Sequence, residues 1–238
     1  MKILGIDTSS KVCGVAVLEN ELLLNEIIQD NGLSHSEKLM PMIKKVLEKT
    51  NITLNDIDLI VCDKGPGSFT GIRIGVATAK AFLDSKNIQI IGISSLEALA
   101  YNVKTDGIIC SLIDAKNDNA YVGVFEKINK KYLLRRNFSC ENISDLLNEF
   151  KDVENSVSFV GDGAITYKDK IISELNSKCN FAENNDLSSF NLALAGYSHF
   201  KEQDFCDVTP LYLRKPQAER MLEKKKYKLV GAKIWKMF

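Results

Sequence analysis

The residues able to do chemistry are gathered in a few short stretches. "DTSS", Asp7–Ser10, puts a carboxylate and the hydroxyls of Thr8, Ser9 and Ser10 at the end of the first apolar run. Such a group could wrap magnesium and a phosphate, but Asp, Ser and Thr also favour ordinary hairpin turns, which is the plainer reading. A companion, Asp114, ends a later apolar run, "GIICSLID", and is followed by Ala115 and Lys116, with no glycine to let a phosphate come close. "HSEKLMP", from His35, would suggest a metal-binding helix if a second histidine stood four residues on, but position 39 is Leu. His35 with Glu37 is a poor ligand set, and the only other histidine, His199, is distant in sequence. No metal site, no cofactor and no catalytic residue is expected. There is no GxSxG pattern for a serine hydrolase either.

"CDKGPGSFTGIRIGVATAKAF", residues 62–82, poses a different question. A P-loop needs a lysine and a hydroxyl after its last glycine, whereas Gly71 is followed by Ile72 and Arg73. The dinucleotide fingerprint needs glycines at relative positions one, three and six; here they fall at 65, 67 and 71. The plain reading is a tight turn using Pro66 and Gly67. The helix that follows carries its charges, Arg73, Lys80 and Asp84, on one narrow face and is apolar or small elsewhere. A helix apolar nearly all round calls for a second partner. Gly67, Gly71, Gly75 and Ala79 recur every four residues, a smooth line along which another helix could approach. The same line would equally suit packing on the chain's own sheet or first helix.

The elements that must position these groups read as one unit written twice. "KILGID", "KVCGVAVLE" and "ELLLNEIIQD" are strand patterns. Ser34 and Glu37 form a capping-box pattern ahead of a helix striped by Leu39, Met42, Ile43, Val46 and Leu47. A strand at 59–62, the glycine turn and its helix to about Ser85, a strand at 88–93 and a helix opened by Ser94 and Glu97 follow. The second half repeats the order, with a hairpin across Asn129-Lys130, a helix at 142–150, a strand "SVSFVG" and a second glycine turn, Gly161-Asp162-Gly163. A helix to about Leu175, a short strand near 179–181 and a helix over 187–200 complete it. Three antiparallel strands followed by alternating helices and parallel strands describe a ribonuclease H-like α/β unit. The expected divisions are a lobe at 1–103, a second at 104–215, and a basic tail at 216–238. From Arg220 onward the tail is rich in lysine, interleaved with residues such as Trp235 and Phe238. It could touch RNA, though a solvated run is commoner.

The chain has 238 residues, 45% of them hydrophobic, enough for a full core. Its 31 basic and 31 acidic residues cancel, so bulk charge advertises neither nucleic acid nor an anionic membrane. No apolar run approaches membrane-spanning length, and the N-terminus reaches Asp7 too soon for a signal peptide. The six cysteines form no CxxC pair and fit reduced thiols in a cytoplasmic protein.

The segments "ILGIDTSS", "HSEKLMPMI", "GPGSFTGIRIG", "GISSLEALA", "DAKNDNAY", "VGDGA" and "PLYLRKPQAER", spread over residues 3 to 220, resemble the TsaB (YeaZ) family. That family is the dimerisation subunit of the bacterial complex that makes threonylcarbamoyladenosine beside the tRNA anticodon. The resemblance implies a tandem ribonuclease H-like fold of the actin, Hsp70 and sugar-kinase (ASKHA) superfamily. It also implies a catalytically silent paralogue of the transferase TsaD, lacking the second histidine of TsaD's metal site. The family pattern pairs helices 34–49 and 68–85 with those of TsaD, or of a second copy when alone, with the ATPase TsaE joining the heterodimer. Met40, Ile43, Leu47, Gly67, Phe69, Gly71, Ile72, Gly75, Ala79 and Phe82 are then the expected contact residues, and any tRNA contact is indirect or weak. Asp7, Thr8, Ser9 and Ser10 would be a vestigial nucleotide site. The rival expectation is an enzyme using Asp7 and Asp114 around Mg-ATP.

Overall fold

The first apolar run becomes strand β1 (Lys2–Asp7), which pairs antiparallel with β2 (Cys13–Glu19), itself paired with β3 (Leu22–Gln29). Helix α1 (His35–Thr50) crosses to β4 (Leu59–Asp63), parallel to β1 with Gly5 opposite Val61. Helix α2 (Phe69–Lys86) crosses to β5 (Gln89–Ile93), giving the order β3-β2-β1-β4-β5. After α3 (Ser95–Ala100) the pattern restarts with β6 (Gly107–Asp114), β7 (Asn119–Ile128) and β8 (Lys131–Asn142). Then come α4 (Ile143–Phe150), β9 (Val157–Val160), α5 (Asp162–Thr166), α6 (Lys168–Leu175), β10 (Cys179–Phe181) and α7 (Ser189–Lys201). The second sheet, β8-β7-β6-β9-β10, repeats the topology of the first. This computed structural model describes residues 1–30, 34–86, 88–204 and 207–215; the basic tail, 216–238, lies outside the described residues.

Alternation explains why β1 reads as uniformly apolar. Leu4 and Ile6, with Val15 and Val17, pack under α1 and α2. Ile3, with Ala16, Leu18, Leu59 and Val61, packs on the other face under α7. Both faces are covered, so both phases of the strand must be apolar. The second sheet is covered outside by α4, α5 and α6 and inside by α3, through Leu96, Leu99 and Ala100. Helices α3 and α7 therefore form a shared middle layer. The carboxylate of Glu26 on β3 fixes α7 there, accepting bonds from Ser188 Oγ (3.1 Å), Ser189 Oγ (2.8 Å) and the Phe190 amide (3.0 Å) at the helix N-terminus.

The turns follow local chemistry. Asn129 and Lys130 both adopt positive φ, 49° and 70°, as a two-residue hairpin requires. Gly65 and Gly161, each just past the strand beside the central one, have φ of 98° and 106°, which side chains rarely tolerate. Two local expectations are corrected. The helix expected up to Leu175 breaks at Tyr167 (φ −105°, ψ 16°), whose hydroxyl turns inward to Asp114 and the Asn119 carbonyl. The Ser94 cap forms, accepting from the Glu97 amide (3.0 Å), but the Glu97 carboxylate goes to His199 Nε2 (2.6 Å) instead of closing the box.

Candidate functional site

The end of β1 meets the end of β4 in a buried pair of carboxyl groups, Asp7 (4% exposed) and Asp63 (1%). Asp7 Oδ1 accepts from the Ser9 amide and lies 2.8 Å from Ser9 Oγ, which is also 2.9 Å from Asp63 Oδ2. Asp63 Oδ1 accepts from the Gly65 amide (2.6 Å) and Ser95 Oγ (2.7 Å). The Ser9 hydroxyl thus stands between one oxygen of each carboxyl and links the two. Burial first, and then the negative charge of Asp7, push Asp63 well above the usual carboxylate range. Asp7 is also raised by burial, partly offset by the bonds from Ser9. The sequence reading missed Asp63; its signal was an acidic residue ending an apolar run just before a glycine.

The second lobe brings two acidic residues together near the corresponding place, Asp114 at the end of β6 and Asp162 in the first turn of α5, one residue past Gly161. The Lys116 amide donates to Asp114 Oδ1 (2.8 Å) in the same two-residue turn that Asp7 and Ser9 make. Here the residue two on is a lysine, whose Nζ pairs with Asp114 Oδ2, and Tyr167 Oη donates to Oδ1 (3.0 Å). Burial pushes Asp114 up, but the bonds from Lys116 and Tyr167 outweigh it and leave the carboxyl below its ordinary range. Asp162 is raised by burial and accepts from the Asp114 amide (3.0 Å).

Asp7, Thr8 and Ser9, expected as a nucleotide-binding remnant, face inward and use their polar atoms on the chain itself. Thr8 Oγ1 donates to the Gly71 carbonyl (2.7 Å), and the Ser68 amide donates to the Ser9 carbonyl (2.6 Å). Ser10 lends its carbonyl to His35 Nε2 (2.8 Å). Glu37 accepts from the Ser34 amide (3.0 Å), so the two residues once weighed as metal ligands are held by backbone groups. Among the described residues no cluster of three or more His, Cys, Asp or Glu could hold a metal ion.

The glycine line overturns the orientation expected for α2. A Cβ on Gly67 would overlap the Ser9 carbonyl, one on Gly71 the Thr8 carbonyl, and one on Gly75 would lie 2.5 Å from Thr8 Oγ1. Ala79 is fully buried, and Ile72, Ile43 and Leu47 are core residues as well. These seven face the chain's own turn and sheet, because the small stripe lets α2 lie close on the β1–β2 turn. The exposed positions lie on the other side of the helix, at Thr70, Arg73, Ala77, Lys80 and Ala81, with Ile74 packed against the core. On α1 the outward residues include Met40 (51% exposed), Pro41 and Lys44. Phe82, expected as a contact residue, is half-buried and packs against the core of the first lobe.

Phe69 is covered by a segment that no local pattern places there. After α7 the chain returns over the glycine turn, where the Leu211 amide donates to the Lys64 carbonyl (2.6 Å). Tyr212 stacks on Phe69 with centroids 4.6 Å apart and accepts from Arg73 Nε (2.8 Å). Arg214 continues to the Ala115 carbonyl, beside the second carboxylate pair. The strap thus ties the first turn of α2 to the other lobe.

Comparison with known proteins fits this geometry. A family model described as "TsaD: tRNA N6-adenosine threonylcarbamoyltransferase" matches residues 29–224. The tRNA threonylcarbamoyladenosine biosynthesis protein TsaB of Bacillus subtilis (strain 168) is 35% identical, over 92% of this chain and 96% of that protein. The chain belongs to the TsaB family. Within the family's fold, YeaZ from Pseudomonas aeruginosa superposes with a TM-score of 0.73 at 22% identity, covering 89% of this chain and 99% of that one. A ROK hexokinase from Thermus thermophilus superposes with a TM-score of 0.53 at 11% identity, covering 85% of this chain and all of the hexokinase. The TsaB-family chain thus shares its doubled ribonuclease H-like architecture with sugar kinases. Among the described residues no helix is long and apolar enough to cross a membrane.

Proposed function

We propose that this chain is a non-catalytic subunit of tRNA threonylcarbamoyladenosine biosynthesis that docks on TsaD and activates it. The modification is N6-threonylcarbamoylation of adenosine-37 in tRNAs that read ANN codons. TsaE joins the pair, and the chain pairs with its own copy when alone. Family membership along nearly the whole chain supports the pathway. The observation that carries the docking role is the outer side of α1 and α2, where Met40, Ala77 and Ala81 are exposed. An apolar face of this kind, lined with small residues, suits close approach of other helices. Mg-ATP chemistry at Asp7 and Asp114 draws no support from the geometry, since one carboxyl is sealed and the other is paired with Lys116.

The test separates outward from inward positions. Ala77→Glu with Ala81→Arg should leave a folded monomer by circular dichroism and weaken both self-association and TsaD binding by about a hundredfold, an effect of roughly 3 kcal/mol, as for an interface hot spot. Unchanged association in light scattering and TsaD co-purification would overturn the reading.

A further inference from the structure

The end of the molecule opposite the carboxylates holds a second candidate site. A groove of about 520 Å³ opens between the β2–β3 turn, the β7–β8 hairpin, the residues after α3 and the last turns of α7. In a chain whose charges cancel overall, this groove is lined by Lys104, Lys127, Lys130, Lys131 and Lys201 against Glu21 and Glu202. Lys131 pairs with Glu202 and Lys201 with Glu21, each at 2.7 Å. Lys127, buried in the wall, pairs with Asp106 (2.7 Å). Lys104 meets no carboxylate among the described residues; its Nζ donates to the Tyr101 carbonyl (2.6 Å). Lys130, held at the hairpin tip by its positive φ, forms no ion pair among them either. Its nearness to Glu21 is felt only as a weak stabilisation of that carboxylate.

Two uncompensated ammonium groups in a concave, partly apolar groove concentrate positive potential there. Neighbouring hydroxyls are already committed: Tyr132 Oη donates to the Val103 carbonyl (2.9 Å) and Tyr197 Oη to Asn20 Oδ1 (3.1 Å). Recognition must therefore rest on charge rather than on a directional code. The matching ligand is a compact oxyanion with several negative charges.

We propose that this groove binds phosphoryl groups in series, through Lys104 and Lys130, with Glu21 and Glu202 as competitors that the ligand displaces from Lys201 and Lys131. Consecutive phosphates could come from a nucleoside triphosphate or from an RNA backbone. The assignment is independent of docking at α1 and α2.

Tripolyphosphate titrated calorimetrically into the intact chain is the direct probe. Lys104→Ala with Lys130→Ala should weaken binding about tenfold, the equivalent of two exposed charge contacts. Glu21→Gln with Glu202→Gln should tighten it, a change that mere loss of structure would not produce. Lys168→Ala with Lys170→Ala, on α6, should leave it unchanged. Competition by ATP identifies a nucleotide source. Competition by a tRNA transcript whose salt slope falls by about 0.7 per lysine removed identifies a single-stranded RNA source. No tripolyphosphate binding at millimolar concentration, or binding indifferent to Lys104→Ala with Lys130→Ala, would overturn the proposal.

Discussion

Both lobes end their first strand in an aspartate, Asp7 and Asp114, and surround it differently. In the first lobe, Asp7 and Asp63 are buried and bonded by hydroxyls and backbone amides, and burial raises both carboxyls above their ordinary range. In the second, Asp114 sits in the same turn but Lys116 supplies the positive charge at an exposed edge. The decisive change is small: Ser9 in one turn, Lys116 in the other. A serine lets α2 close over the turn, whereas a lysine keeps it open to water. Duplication supplies the frame, and one side chain decides whether a turn becomes core or surface.

Breaking the closed turn should give the largest effect. Gly71→Ala drives a methyl into the Thr8 carbonyl, with backbone on both sides, and should lose about 3 kcal/mol in urea unfolding. In the open lobe, Tyr167→Phe removes the hydroxyl bonded to Asp114 and the Asn119 carbonyl, and should lose about 1 kcal/mol in the same assay. The pH profiles should then run in opposite directions. Asp63 has a raised folded pKa, so its contribution is full below the unfolded carboxylate value and is lost as pH rises through the folded one. Asp63→Asn mimics the protonated form, so at pH 7 its urea midpoint should equal or exceed that of the parent, the gap closing toward pH ~4. A clear loss at pH 7 would mean that Asp63 is ionised. Asp114 has a lowered folded pKa, so its contribution is present above the unfolded value and fades as pH falls through the folded one. Asp114→Asn should therefore cause the smallest loss, visible at pH 7 and absent in strong acid.

Most of the fold was legible because it rests on local signals. The strands follow apolar runs bounded by turn residues, and α1 begins where Ser34 and Glu37 mark its cap. The doubled order of elements was readable without any identity between the halves. The orientation of α2 was misread although its signal was present. Arg73 and Lys80 mark the wet side of the helix, and the glycine line lies opposite them, so spacing alone put the stripe on the inside. Asp63 and the Tyr212 strap were harder to see. Both depend on contacts between residues far apart in the chain, such as Ser9 with Asp63 and Phe69 with Tyr212. The groove lysines come from three separate segments, the residues after α3, the β7–β8 hairpin and α7, which only the fold brings together.

The crossing of α7 onto the first sheet has a consequence for how the chain matures. As the polypeptide leaves the ribosome, the first sheet can be complete while Ile3, Leu18, Leu59 and Val61 still have no cover. Their cover is made about a hundred residues later, at Ser189–Lys201, and is clamped only when Glu26 finds Ser188 and Ser189. A nascent first half is thus a sticky intermediate, and both halves of the duplicated fold must reach their final state together.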